Sequence, residues 1–274
     1  MKNLTIAFIG SGNIANSMIG GLIANGVDSK KIVASDPDET QKKLTAKKYG
    51  ITVFKNNQDA AKKADVIIFA VKPENMQIAI KKIFEIPKIE NKLLLSVAAG
   101  IKIESIENWI DRPTSIVRVM PNITMVVQAG ASALYANEHA TNEDKKIAEY
   151  IMKSVGVTVW LDDENHMDSV TALSGSGPAY FFYLMEIMEN NAVEMGLNKE
   201  DARLLTVETA LGAAKMAVLS KTEPKELRQQ VTSAGGTTEK AINVFVQGRL
   251  DELFRNAMDA AKERSIELSK SFED

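Results

Sequence analysis

Ser233, Ala234, Gly235, Gly236, Thr237 and Thr238 interrupt two helical patterns, and Ala241, Ile242 and Phe245 then return at helical spacing. A Gly-Gly pair followed by two hydroxyls and a helix start exposes several backbone N–H groups, a nest whose chemistry suits a carboxylate. The same residues also suit an N-capped helix with a flexible turn before it. A second small-residue run, Ala172-Leu173-Ser174-Gly175-Ser176-Gly177-Pro178-Ala179-Tyr180, lets backbone and hydroxyls approach a flat ring, with Pro178 starting a long helix. As a bare motif it serves equally as a linker or a cap.

Near the other end, Gly10-Ser11-Gly12-Asn13-Ile14-Ala15 fits the G-x-G-x-x-A form of the dinucleotide fingerprint. It stands where the mechanism requires, after a predicted strand and at the head of a helix. Gly10 permits the tight turn, Gly12 lets a pyrophosphate approach the backbone, and Ala15 lets the helix pack on the sheet. The competing reading is a glycine turn in an unrelated α/β protein. Cofactor preference turns on the end of the second strand, Ser35-Asp36-Pro37-Asp38. An acidic side chain there accepts from a ribose 2′-hydroxyl and repels a 2′-phosphate, so Asp36 argues for NADH. Ser35, Lys42, Lys43 and Asn56 could still serve a phosphate. Two further segments end strands on the ligand-binding side of an open sheet, Ala70-Val71-Lys72-Pro73 and Ala98-Ala99-Gly100. Lys72 reads either as a catalytic ammonium or as a cationic lining, with Pro73 starting a helix.

These motifs need elements to hold them. The first half alternates β-branched runs at 5–9, 32–35, 66–70, 93–97 and 116–120 with helical patterns at 14–25, 40–48, 58–63 and 74–84. That alternation predicts βαβ units and a parallel sheet with helices on both faces. Further strands are expected at 131–135 and 157–161, with a helix at 144–154 between them. Beyond Asp162 strand patterns almost disappear, and 178–195, 199–220, 224–232, 238–246 and 249–270 all read as helix. The expected organisation is α/β: a Rossmann-type dinucleotide-binding domain at 1–162, then an all-α substrate and dimerisation domain at 163–274. A helical half of that size buries too little surface alone and is expected to complete its core on a second subunit.

Composition narrows the function classes. A net charge of −3 gives no support to a nucleic-acid partner. The sequence has no cysteine and only two histidines, His139 and His166, far apart and without a ligand pattern, so no metal site is expected. No run approaches the roughly 18 apolar residues of a membrane span, and a soluble, cytoplasmic protein is expected.

The order FIGSGN, AVKP, AAG, VMPN, LSGSGPAY, LGAAKM, SAGGTTEKAI resembles the pyrroline-5-carboxylate reductases from one end of the chain to the other. The resemblance implies reduction of a five-membered cyclic imine carboxylate to proline by hydride transfer from NAD(P)H. It implies that Ile9 and the residues from Gly10 to Ile14 bind the dinucleotide, with Ser35 and Asn56 beside the adenosine ribose, and that AVKP and AAG border the nicotinamide ribose. Similar reductases accept either cofactor, and the balance tips slightly to NADPH. The substrate carboxylate falls to Ser233 and the N–H groups of Gly236, Thr237 and Thr238, and the imine nitrogen to the Thr238 hydroxyl. Ser174 and Gly175 come with the substrate segment. Glu164 is either a substrate contact or a helix-N-terminal carboxylate. Such enzymes form intertwined dimers, some of which assemble into rings of five. This chain departs from the pattern where Ile123-Thr124 follow Pro121-Asn122 and where Ala234 precedes the glycines, changes that bear on loop stiffness. Two rivals remain: a β-hydroxyacid dehydrogenase using Lys215 as general acid, and a non-catalytic, dinucleotide-sensing dimer.

Overall fold

The computed structural model describes residues 4–272. Contacts divide the chain into two compact units, residues 1–176 with 261–274, and residues 177–260. The expected division at 162/163 therefore falls inside the first unit, and the last turns of the final helix pack with the sheet.

The first unit is built on eight strands: β1 (Ile6–Ile9), β2 (Ile32–Ser35), β3 (Thr52–Phe54), β4 (Val66–Phe69), β5 (Leu93–Ser96), β6 (Ile116–Met120), β7 (Gly130–Ala136) and β8 (Gly156–Trp160). They lie in the order β3-β2-β1-β4-β5-β6-β7-β8. All neighbours pair in parallel except β6 and β7, which are antiparallel. The reversal has a simple cause. A parallel crossover takes a dozen or more residues, and the link between β6 and β7 holds only one 3₁₀ segment, Ile123–Val127.

Alternation along the strands fills both faces. Ile6 and Phe8 of β1 and Val66 and Ile68 of β4 join one cluster with Met18, Ile19 and Leu22 of α1 (Asn13–Ala24). Ala7, Ile9, Ile67 and Phe69 join the other. There they meet α3 (Asn57–Lys63), α4 (Met76–Phe84) and α5 (Ile103–Ile110). The long helix α6 (Asn142–Lys153) returns to the α1 face and starts on a capping box between Thr141 and Asp144. α2 (Glu39–Tyr49) is capped by Asp38 and stopped by Gly50 at φ 67°. Near the end of this unit come the short α7 (Met167–Val170) and a π turn at Thr171–Gly175.

The second unit begins with α8 (Gly177–Glu194), which packs on α9 (Lys199–Leu219). α10 (Pro224–Gln230), α11 (Thr237–Gln247) and the start of α12 (Leu250–Lys270) complete it. Among the described residues of this unit only Gly177, Ala202 and Thr206 are buried. Phe181, Phe182, Tyr183, Leu204, Leu205 and Phe245 are more than half exposed. Five helices without a core of their own are the sharpest structural feature of this half. No helix among the described residues is long and apolar enough to cross a membrane.

Candidate active site

The sheet order places a switch point between β1 and β4, where crossovers leave in opposite directions and the carboxyl ends open a crevice. Gly10 follows β1 at φ 91°, and a Cβ built there would lie 2.7 Å from the Ala70 carbonyl oxygen, so the close approach of the two strand ends requires glycine. Its N–H donates to Ser35 O (2.9 Å), and Ala70 N–H donates to Ile9 O (2.8 Å). Above these ends lies a cavity of about 340 Å³. Gly12, Asn13, Ile14, Ala70, Val71, Lys72, Pro73, Ala98 and Ala99 line it with Met120 and Pro121. Nine residues singled out in the sequence thus meet around one crevice.

The cradle fits a dinucleotide. A Cβ on Gly12 would meet nothing within 4 Å, so the backbone lies open to an approaching group. Gly12 caps α1 without a side-chain bond, and the first helical N–H bond is Asn16 N to Gly12 O (2.9 Å). The N–H groups of Asn13, Ile14 and Ala15 therefore lie outside the helical ladder, as an anion requires. Lys72 is exposed at the rim, ahead of the 3₁₀ segment Pro73–Asn75.

Other expected cofactor residues sit elsewhere or do other work. Ser35 is fully buried and its hydroxyl donates to Asn57 Oδ1 (2.8 Å). Asn56 Oδ1 accepts from Asp59 N–H and caps α3. Gly100, at φ 77°, is buried beneath Leu268 and Phe272 of the chain's end and does not line the crevice. Ile9 is fully buried at the end of β1, and Ser11, also buried, is bonded to Asp36.

The π turn brings the second small-residue run against the same unit. Asn122 Nδ2 donates to Ser174 O (3.0 Å), and Asn122 Oδ1 accepts from Ala131 N–H (3.1 Å) and from the Thr124 hydroxyl (2.7 Å). Gly175 sits beside Met120, a crevice residue, and an added Cβ would lie 2.7 Å from its Cε. Thr124, a departure from the family pattern, thus braces the loop through a hydroxyl.

Glu164 stands as a helix-N-terminal carboxylate, the second of its two expected roles. One carboxylate oxygen accepts from Arg118 Nη1 (2.7 Å) and from Ile103 N–H (2.9 Å), the first residue of α5. It serves the N-terminus of another helix and neutralises an arginine whose side chain is 6% exposed. Arg118 was missed in the sequence, although an arginine in the apolar run Ile116-Val117-Arg118-Val119-Met120 signals a buried cation that needs a partner.

The nest lies in the second unit. Gly235 adopts φ 71°, and its N–H donates to Glu239 Oε2 (2.8 Å). Gly236 N–H donates to Ser233 O (3.0 Å), closing the turn, so it is not among the free donors that the resemblance implied. α11 starts at Thr237, and its first ladder bond is Lys240 N to Gly236 O. The N–H groups of Thr237 and Thr238 therefore remain outside the ladder beside the exposed Ser233 and Thr238 side chains.

A mostly parallel sheet with a glycine cradle at its switch point, followed in sequence by a helical unit, defines a dinucleotide-binding protein of the Rossmann class. Comparison with known families carries the class further. The model described as pyrroline-5-carboxylate reductase dimerisation matches residues 164–268, and that described as NADP oxidoreductase coenzyme F420-dependent matches residues 5–100. A pyrroline-5-carboxylate reductase of Pseudomonas aeruginosa is 45% identical over 98% of both chains. The solved structure of such a reductase from Coxiella burnetii is 42% identical, with a TM-score of 0.93 over 97% of this chain and 98% of that one. A Plasmodium falciparum pyrroline carboxylate reductase solved with NADP bound is 27% identical, with a TM-score of 0.87 over 98% of this chain and 99% of that one. This chain belongs to the pyrroline-5-carboxylate reductase family.

Proposed function

We propose that the chain reduces 1-pyrroline-5-carboxylate to L-proline, the last step of proline biosynthesis. The observation that carries the reading is the 45% identity over 98% of both chains with a reductase of that name. A reduced nicotinamide supplies the hydride when it is bound. Gly10, Gly12 and the open N–H groups of Asn13 and Ile14 hold the pyrophosphate. Residues 70–73 with Ala98 and Ala99 border the nicotinamide end. Lys72 is the cationic lining of the rim, and an acid is not asked of it, because a protonated imine is already an electrophile.

Ser233 and the N–H groups of Thr237 and Thr238 hold the substrate carboxylate, and the Thr238 hydroxyl hydrogen-bonds the ring nitrogen. Ser174 and Gly175 belong to the substrate segment, and Glu164 keeps that segment on the sheet through Arg118. These residues act mainly by orientation, a proximity effect that reaches several powers of ten. Hydride adds to the imine carbon, the C=N π pair passes to nitrogen, and the nitrogen proton arrives with the protonated imine.

Preference between the cofactors leans to NADPH. The Plasmodium relative holds NADP. Asp36, the residue that argued against a 2′-phosphate, is bonded to the glycine loop. The exposed apolar face of the helical unit supports a homo-oligomer, a homodimer or a ring of dimers, and the expected location is the cytoplasm. On α9, Lys215 is exposed, and nothing around it favours the hydroxyacid reading. The test is loss of nicotinamide absorbance with the cyclic imine, NADPH and NADH compared in parallel. Rapid imine-dependent oxidation supports the reading. Folded protein that oxidises neither cofactor with the imine, but reduces either oxidised cofactor with a 3-hydroxy acid, contradicts it.

A further inference from the structure

We propose that Asp36 is the strut that holds the glycine loop in its binding shape, and that it does not select between the two dinucleotides. This rests on the dinucleotide reading of the crevice. Asp36 Oδ2 accepts from Ser11 N–H (2.9 Å) and from the Ser11 hydroxyl (2.8 Å), and Oδ1 accepts from Asp38 N–H (3.0 Å). Both oxygens are thus committed to this chain's own donors. The other side of Ser11 is held as well, since its carbonyl accepts from Gln41 Nε2 and Asn16 Nδ2. Side chains from α1, α2 and the end of β2 therefore fix the peptides on both sides of a fully buried serine.

The consequence reaches the phosphate site. Ser11 lies between the left-handed Gly10 and the open Gly12, so its orientation aims the N–H groups that follow at the head of α1. A loop fixed before the ligand arrives loses little freedom on binding, and this favours any dinucleotide, whatever its 2′ group. A carboxylate answered by three donors also opposes a 2′-phosphate less than a free one.

The test measures dissociation constants of NADH and NADPH directly, by nicotinamide fluorescence on the full-length protein, for Asp36→Ala, Ser11→Ala and the double variant. A strut predicts that Asp36→Ala weakens both cofactors equally, about tenfold for loss of bonds to a charged group. Ser11→Ala weakens both by about threefold, and the double variant is no worse than Asp36→Ala, because the two residues act as one unit. In steady state the loss falls on the cofactor KM, not on kcat. Weaker NADH with unchanged or tighter NADPH in Asp36→Ala, and a neutral Ser11→Ala, would make Asp36 a selector and overturn the proposal. If Asp36→Ala fails to fold, Ser11→Ala decides alone: equal weakening supports the strut, and unchanged binding overturns it. Failure of the unaltered protein to bind either cofactor would overturn the dinucleotide reading itself.

Discussion

The two units solve the problem of holding a ligand in opposite ways. In the sheet unit the cradle is braced from below: Ile9 is fully buried, Gly10 is locked under Ala70, and Ser11 is tied to Asp36, Gln41 and Asn16. In the helical unit the nest stands on one turn bond and one Glu239 contact, on helices whose aromatic side chains face solvent. A sheet covered by helices on both faces supports its cradle on its own core. The helices leave their apolar side chains open, and the family model that matches this region is described as dimerisation.

That contrast can be broken at four points. The largest effect is expected at Glu164→Ala, which leaves Arg118 buried without its carboxylate. Removing one partner of a buried pair costs about 3 to 5 kcal/mol, so a thermal melt should show a large loss, and an unmoved Tm would return Glu164 to a purely substrate role. Next comes Thr238→Ala, expected to lower kcat about a hundredfold, near 3 kcal/mol, while the cofactor dissociation constant stays put. Unchanged kinetics would remove Thr238 from the site. Phe182→Asp, on the open face of α8, should move the protein toward monomer by light scattering, with a loss of about 2 kcal/mol from the apolar contact. A dimer that persists would mean the face is covered otherwise.

The smallest effect belongs to the sheet unit. Lys92 Nζ donates to the carbonyls of Ala61, Lys62 and Ala64 at the end of α3. Lys92→Met should cost about 1 kcal/mol at neutral pH. Burial pushes the Lys92 ammonium below its ordinary value, with Asp65 pulling it back. Between that lowered value and the ordinary lysine range the unfolded chain holds more protons than the folded one, so this group makes stability rise with pH there. Urea titrations across the alkaline range should show that slope in the unaltered protein and its loss in Lys92→Met.

Much of the sheet unit was legible because its signals are local. Gly10 and Gly12 after a β-branched run announce a turn that only glycine can make, and the strand pattern predicted β1, β2, β4, β5 and β6 to within a residue. β3 escaped notice as a three-residue edge strand, and α5 as one of eight residues, although Ile103, Ile106 and Ile110 carry a helical stripe. The reversal of β7 was not read, although the link before it is too short for a parallel crossover. What the sequence could not show are bonds between distant residues: Asp36 on Ser11, Asn122 on Ser174, Glu164 on Arg118. Each places a familiar residue type in a role set by its partner, and partners far apart in the chain leave no spacing to read. The helices of the second unit were legible by period, and their exposure follows from what they lack.

The most direct test of the account follows the hydride itself. Dinucleotide carrying deuterium at the transferred position of the nicotinamide, mixed with the cyclic imine and the protein, should give proline heavier by one mass unit with the label on the former imine carbon. Unlabelled proline, or no proline from folded protein that binds the cofactor, would contradict it.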